Sequence, residues 1–243
     1  MPELTSIVIA VWDALPFLKK CIGTITMNTD IEKTPYEIIL VDNGSKPDAV
    51  QFIKSVGVKL SVPVKTHFNN SNLGCSIAWN QGIIMSEGKY ICLLNSDTEP
   101  QEKWLEHMRI TIDASDDIGV VGPMCNNISS IQGEWRVRMN GPDFEVPPGY
   151  VMPFVCVLFK REIFKKVGLM AERFDKGGSE DIEMCNRLHK HGLKKMVAAR
   201  AFVHHYLSRS YREHYSSQAE INKINREMNI KIDQPEEIKY LED

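Results

Sequence analysis

The chain has 243 residues, and its 29 basic and 32 acidic side chains leave a formal net charge of −3. This near balance argues against a nucleic-acid binder that works by bulk electrostatics. No apolar run approaches the ~20 residues needed to span a bilayer, so membrane contact is expected to be peripheral at most.

The N-terminal "MPELTSIVIAV" carries no basic leader before its apolar run. It reads as a first strand rather than a signal peptide, and the expectation is a soluble, cytoplasmic protein. The strand covers 6–11, and a helix follows from near Pro16, with Leu15, Leu18, Ile22 and Ile25 at helical spacing. "YEIILVD" (36–42) is a second strand closed by the turn signal "NGS". A short helix over 47–56, a strand over 63–68, a helix over 75–86 and a strand over 89–95 come next. Residues 102–113 form an amphipathic helix and 118–123 a fifth strand. Continuous apolar strands alternating with helices predict an α/β fold with a mostly parallel central sheet flanked by helices.

Residues 124–150 have little periodicity and read as a long loop or lid. "VMPFVCVLF" (151–159) reads as a buried strand and "REIFKKVG" as a short helix ended by Gly168. "FDKGGSEDIEMCNRLHKHG" gives a Gly-rich turn and then a helix, with Ser179 as its expected N-cap. "KKMVAARAFVHHY" is a last strand and "SSQAEINKINREMNI" a polar C-terminal helix. The weak apolar stripe of that helix fits either packing on the domain or pairing two chains into a homodimer. Six cysteines without a CxxC pair read as reduced core thiols.

In sheets of this kind ligands sit outside the carboxyl ends of the strands. Three strands end there in polar groups: Trp12 and Asp13, Asp42 and Asn43, and Asn95 to Asp97. Asp97, at the end of "YICLLNSD", has the chemistry to hold a hard divalent cation that also binds phosphate oxygens; "NSD" is equally good turn chemistry. Asp42 has the chemistry to accept from a base or ribose, or to cap its own turn. Glu180 and Asp181 suit a helix N-terminus, and the same carboxylates in a cleft suit a general base. His204 and His205 are strand neighbours and point to opposite faces, so one of them at most faces the crevice.

These signals fall in the segments "SIVIAVWDALPFLKKCIGTI", "EIILVDNGS", "NSNLGCSIAWNQGI", "GKYICLLNSDTEPQEKWLEHM", "GVVGP", "FVCVLFKREIFKKVG", "ERFDKGGSEDIEMCNRLHKHG" and "AFVHHYLSRS". In this order they resemble glycosyltransferase family 2, over roughly residues 4–210. The resemblance implies a GT-A fold in one domain over 1–215, with a nucleotide-binding half (1–123) and an acceptor half (124–215), followed by a helical tail (216–243). It implies an inverting enzyme that moves a sugar from a UDP- or dTDP-linked donor to a hydroxyl on a glycan, lipid-linked or protein acceptor, in cell-surface polysaccharide biosynthesis. Asp97 would hold Mn2+ or Mg2+ on the donor diphosphate, completed by His204, with His205 in reserve. Asn95 and Ser96 would lie against ribose or phosphate. Asp42 would contact the base in a pocket lined by Ala10 and Trp12, and Asn72 and Asn80 would close the nucleotide site. Asp181 would be the catalytic base, with Glu180 as a cap or a sugar-positioning group.

Two departures stand out. Asn95 replaces the first acid of the family's Asp-x-Asp motif, and Trp79 stands where many relatives carry arginine. Two rival readings are a nucleotidyltransferase and a nucleotide-sugar or glycan binding module without catalysis. The first would need a Gly-rich phosphate loop after the first strand, which "AVWDALPFLKK" lacks. The joint presence of Asp97, Asp181 and His204 speaks against the second.

Overall fold

The structure is a computed structural model and describes residues 3–128, 130–174, 178–207, 214, 220, 223, 226, 227, 231 and 236–242. The first half follows the alternation in the sequence: β1 (Thr5–Val11), α1 (Leu15–Asn28), β2 (Tyr36–Asn43), α2 (Pro47–Lys59), β3 (Val64–Asn69), α3 (Cys75–Met85) and β4 (Tyr90–Leu94). These strands pair in parallel in the order β3-β2-β1-β4. Every residue of β2 is buried, which explains its unbroken apolar run.

The second half comprises β5 (Thr98–Pro100), α4 (Trp104–Ile112), β6 (Ile118–Cys125), α5 (Trp135–Arg138), β7 (Phe144–Glu145), β8 (Cys156–Lys160), α6 (Arg161–Lys166), α7 (Glu180–Lys190) and β9 (Lys194–His205). The sheet continues β4-β8-β6-β9-β5, with β7 on β9. β8 runs antiparallel to both β4 and β6, so the sheet is mixed rather than parallel throughout. The reason is topological. β6 ends at the same edge as β4, and residues 126–155 contain no helix long enough to return the chain to the opposite edge before β8. The strand expected over 151–159 is confined to 156–160. Pro153 has no amide hydrogen to donate to a ladder, and the Val155 carbonyl is taken by the Asn95 amide at 2.9 Å. β5 and β7, of three and two residues, are too short for a period to announce them.

Two apolar layers cover the sheet. One joins the faces of α1, α2 and α4 to β1, β2 and β4 and holds Trp104, whose indole N–H donates to Thr29 at 2.9 Å. The other joins α3, α6 and α7 to the opposite face. All six cysteines are free thiols, five of them buried and Cys75 half-buried. No helix among the described residues is long and apolar enough to cross a membrane.

The expected C-terminal helix over 216–230 falls largely outside the described residues, as do Arg209 and Arg212. Residues 236–242 pack back on the domain. Leu169 donates to Lys239 O at 2.7 Å, Leu241 donates to Phe164 O at 3.2 Å, and Glu236 accepts from the Glu172 amide and the Arg173 guanidinium at 2.8 Å each. Gly168, at φ +95°, allows this approach, because a Cβ there would lie 2.3 Å from Ile238.

Candidate active site

The carboxyl ends of β1, β2, β4, β6 and β9 meet at one edge of the sheet, and this edge carries the polar residues singled out in the sequence. At the β1 end, Asp13 and Ala14 adopt left-handed conformations that turn the chain into α1. Asp13 is 3% exposed. Its amide donates to Ser45 Oγ at 2.8 Å, and its carboxylate accepts from the Lys46 amide at 2.6 Å. Asp42, 2% exposed, accepts from the Ser45 amide at 3.3 Å. The two turns are thereby sewn together. Trp12 and Ala10 lie half-buried beside them. The ring of His214 lies flat on Trp12, with centroids 3.7 Å apart and planes 8° apart, and its Nε2 is 2.7 Å from Asp13 Oδ2. Asp13 and His214 were not among the residues the sequence singled out as binding. A lone aspartate in a turn and a histidine in a polar tail carry no distinguishing pattern.

The two asparagines expected to close the nucleotide site both make hydrogen bonds within the fold. Asn72 accepts from Asn43 Nδ2 at 2.8 Å and from the Gly74 amide at 2.9 Å, which fixes the loop into α3. Asn80 is 2% exposed. It donates to Met170 O at 2.8 Å and Glu172 Oε1 at 3.0 Å, and accepts from the Met170 amide at 2.9 Å. Both ends of its amide are used, and it ties α3 to the 168–173 turn. Trp79 is buried in the core beside it.

At the β4 end, Asn95 is half-buried, and Ser96 and Asp97 are buried at 6% and 5% exposure. The imidazole that reaches Asp97 belongs to His205, whose Nε2 lies 3.4 Å from Asp97 Oδ1. The sequence reading puts His204 in this role and holds His205 in reserve. The antiparallel β5–β9 register sets His205 opposite Thr98, next to Asp97, and turns His204 to the other face, where it packs edge-on against Tyr206. Asn126 fastens His205 by accepting from its amide at 2.7 Å and donating to its carbonyl at 3.3 Å, and Asn127 adds a donation to the same carbonyl at 2.9 Å.

A carboxylate oxygen and an imidazole nitrogen at this separation fit a divalent cation such as Mn2+. The buried Nδ1 of His205 has no partner among the described residues. No group of three or more His, Cys, Asp or Glu among the described residues is arranged for a metal, so a cation here would draw its remaining ligands from a bound diphosphate and water. Below lie Cys21 and Cys125, whose thiols burial pushes up to about 12, with the Asp97 charge adding to it.

Asp181 stands in the first turn of α7, close to the Phe154 amide, one residue before Val155, whose carbonyl accepts from the Asn95 amide. Asp181 Oδ1 accepts from the Ile182 amide at 2.7 Å. Ser179 does stand at the N-cap of α7. It is left-handed (φ 77°), however, and its side chain makes no cap hydrogen bond. Burial raises both neighbouring carboxyls, Asp181 to about 6 and Glu180, further pressed by the Asp181 charge, to about 8. Glu180 Oε2 is buried without a partner among the described residues. Of the two, Asp181 is the less raised and is the first to lose its proton as pH rises. The two carboxylates also push the nearby Cys75 thiol, at the start of α3, further above the range that burial sets.

The likenesses to other proteins agree with this geometry. Among curated proteins, the chain is 27% identical over 110 residues to the glycosyltransferase AglE of Haloferax volcanii, covering 45% of this chain and 36% of that protein. It is 28% identical over 144 residues to the glycosyltransferase GlyG of Streptococcus pneumoniae, covering 59% and 46%. It is 24% identical over 195 residues to the hyaluronan synthase of Pasteurella multocida, covering 65% and 20%. The chain thus spans less than half the length of each of these relatives. Its fold is that of GT-A glycosyltransferases. It superposes on GalNAc-T7, crystallised with UDP, GalNAc and Mn2+, with a TM-score of 0.71 at 17% identity, covering 84% of this chain and 44% of that one. It superposes on the mannosyltransferase PcManGT of Pyrobaculum calidifontis, in complex with GDP-Man and Mn2+, with a TM-score of 0.66 at 16% identity, covering 87% and 59%. The family model described as Glycosyl transferase family 2 matches residues 6–168, two thirds of the sequence, and the chain belongs to that family.

Proposed function

We propose that the protein transfers a sugar from a nucleoside-diphosphate sugar to a hydroxyl acceptor by a single in-line displacement that inverts the anomeric centre. The observation that carries this reading is the meeting of the Asp97–His205 pair and the Asp181 carboxylate at one edge of the sheet. Trp12, Ala10 and Asp42 would receive the base, and Asn95 and Ser96 the ribose or phosphates. Asp97 and His205 would hold a divalent cation; when bound, it supplies Lewis-acid stabilisation of the charge growing on the diphosphate. Asp181, the first of the Glu180–Asp181 pair to lose its proton, accepts the acceptor's hydroxyl proton as the oxygen attacks, a role worth roughly 10²–10⁴-fold.

The complexes of UDP and GDP-Man with Mn2+ in the structural neighbours support a nucleotide-sugar donor and a divalent metal. His214 lies on the Trp12 face that a base would use, so donor and His214 compete for it. The test is a titration with UDP- and dTDP-sugars, with and without Mn2+, that follows nucleotide release and the anomeric configuration of the product. Metal-dependent release with an inverted product is expected. Retention of configuration, or undiminished turnover in excess chelator, overturns the mechanism.

A further inference from the structure

On the face of β9 that carries Phe202 and His204, opposite the His205 side chain, lies an open pocket of ≈ 560 Å³, lined by Asn126, Asn127, Trp135, Arg136, Phe202 and His204. This is within the usual range for small-ligand sites, roughly 300–1,000 Å³. Trp135 and Phe202 pack on the apolar layer that also contains Met184, Cys185 and Leu188 of α7. Asn126 and Asn127, which form one of its walls, are the residues that grip the His205 backbone.

The chemistry of the lining is selective. It contains no carboxylate, one permanent cation, an imidazole, two carboxamides and two aromatic rings. The Arg136 guanidinium stands over Trp135 at 5.2 Å and has no carboxylate partner among the described residues. Glu134, two residues earlier in the chain, pairs with Arg138, and Glu99 accepts from Tyr206 at 2.7 Å and pairs with Lys20. Aromatic rings beside carboxamides suit the mixed apolar and hydroxylated surface of a pyranose. An uncommitted guanidinium beside them suits a negative charge, which it binds through charge-assisted hydrogen bonds.

We propose that this pocket is the acceptor subsite and that it selects a sugar bearing an anionic group, a carboxylate or a phosphate, with Arg136 as its partner; this rests on the transferase reading above. The acceptor is then tied to the cation-binding pair through the Asn126–His205 clamp.

The test is calorimetric binding at low ionic strength of three probes: methyl β-glucuronide, glucose 6-phosphate and the neutral methyl β-glucoside. UDP with Mn2+ is titrated in the same preparations. At least about a tenfold preference for one or both charged probes is expected. The favoured one identifies the charge as carboxylate or phosphate. Arg136→Gln should reduce that preference to near unity, while Arg138→Gln, whose partner is Glu134, should retain it. Equal binding of charged and neutral probes, binding of none of them, or a preference that survives Arg136→Gln overturns the assignment. Failure of UDP to bind overturns the donor reading instead, so the two failures are distinguishable.

Discussion

The two halves of the site treat their carboxylates in opposite ways. In the nucleotide half, Asp13 and Asp42 accept backbone amides of the turn after β2, and Asp13 also meets Lys46 and His214. At the start of α7, Glu180 and Asp181 sit side by side, half-buried, and one oxygen of Glu180 has no partner among the described residues. A buried carboxylate with its own hydrogen bonds stabilises the framework, whereas one left short of them holds a raised proton affinity in reserve.

The sharpest way to break that contrast is Asp181→Asn. Transfer should fall about 10²–10⁴-fold while UDP binding holds and the unfolding midpoint does not fall. Retained transfer would return Asp181 to the framework class. A second test sets the two histidines against each other. His205→Asn should weaken Mn2+ binding, measured by paramagnetic resonance with UDP present, by about 10–100-fold, and His204→Asn should not. The reverse order would mean that the β9 register does not select the ligand.

Titration sharpens the same comparison. Because Asp181 works ionised and burial raises it to about 6, kcat/KM should drop about tenfold per pH unit below that value. The sign for stability is opposite to that of a salt-bridged acid. Both carboxyls are raised above their unfolded values, so the folded state binds more protons. The stability this gives is present at low pH and is lost as pH rises from about 4 through about 8. Glu180→Gln should flatten the alkaline part of that loss and leave the acid limb of activity near 6; a limb that moves with the substitution would refute the assignment of protons within the pair. The smallest effect is expected at His214→Ala. Removing a stacked ring should tighten UDP binding about 2–10-fold, on the order of 1 kcal/mol. An unchanged Kd would mean that the base does not use that face of Trp12.

Much of the fold was legible because buried parallel strands write themselves as apolar runs. β1, β2 and β4 were read within a residue or two of their bounds, and Asp97 stands out as the acid that stops such a run. The direction of β8 was not legible. A five-residue apolar strand looks the same whichever way it runs, and its sense was decided by the path of residues 126–155. The hold on Asn80 was not legible for a related reason: nothing local announces that Met170, ninety residues away, engages both ends of its amide.

By itself, the chain's pattern of apolar runs, turns and acids determined the α/β class, the family resemblance, and the pairing of a strand-end aspartate with a distant acidic helix start. Those are local properties, carried by periodicity and by residue type. Tertiary structure alone decided that His205 rather than His204 faces Asp97, that His214 covers Trp12, and that Glu180 and Asp181 sit half-buried at the start of α7. Each depends on register or burial between segments far apart in the chain. A one-residue step along a strand reverses the face a side chain presents, and proton affinity follows from the surroundings the fold builds around a group.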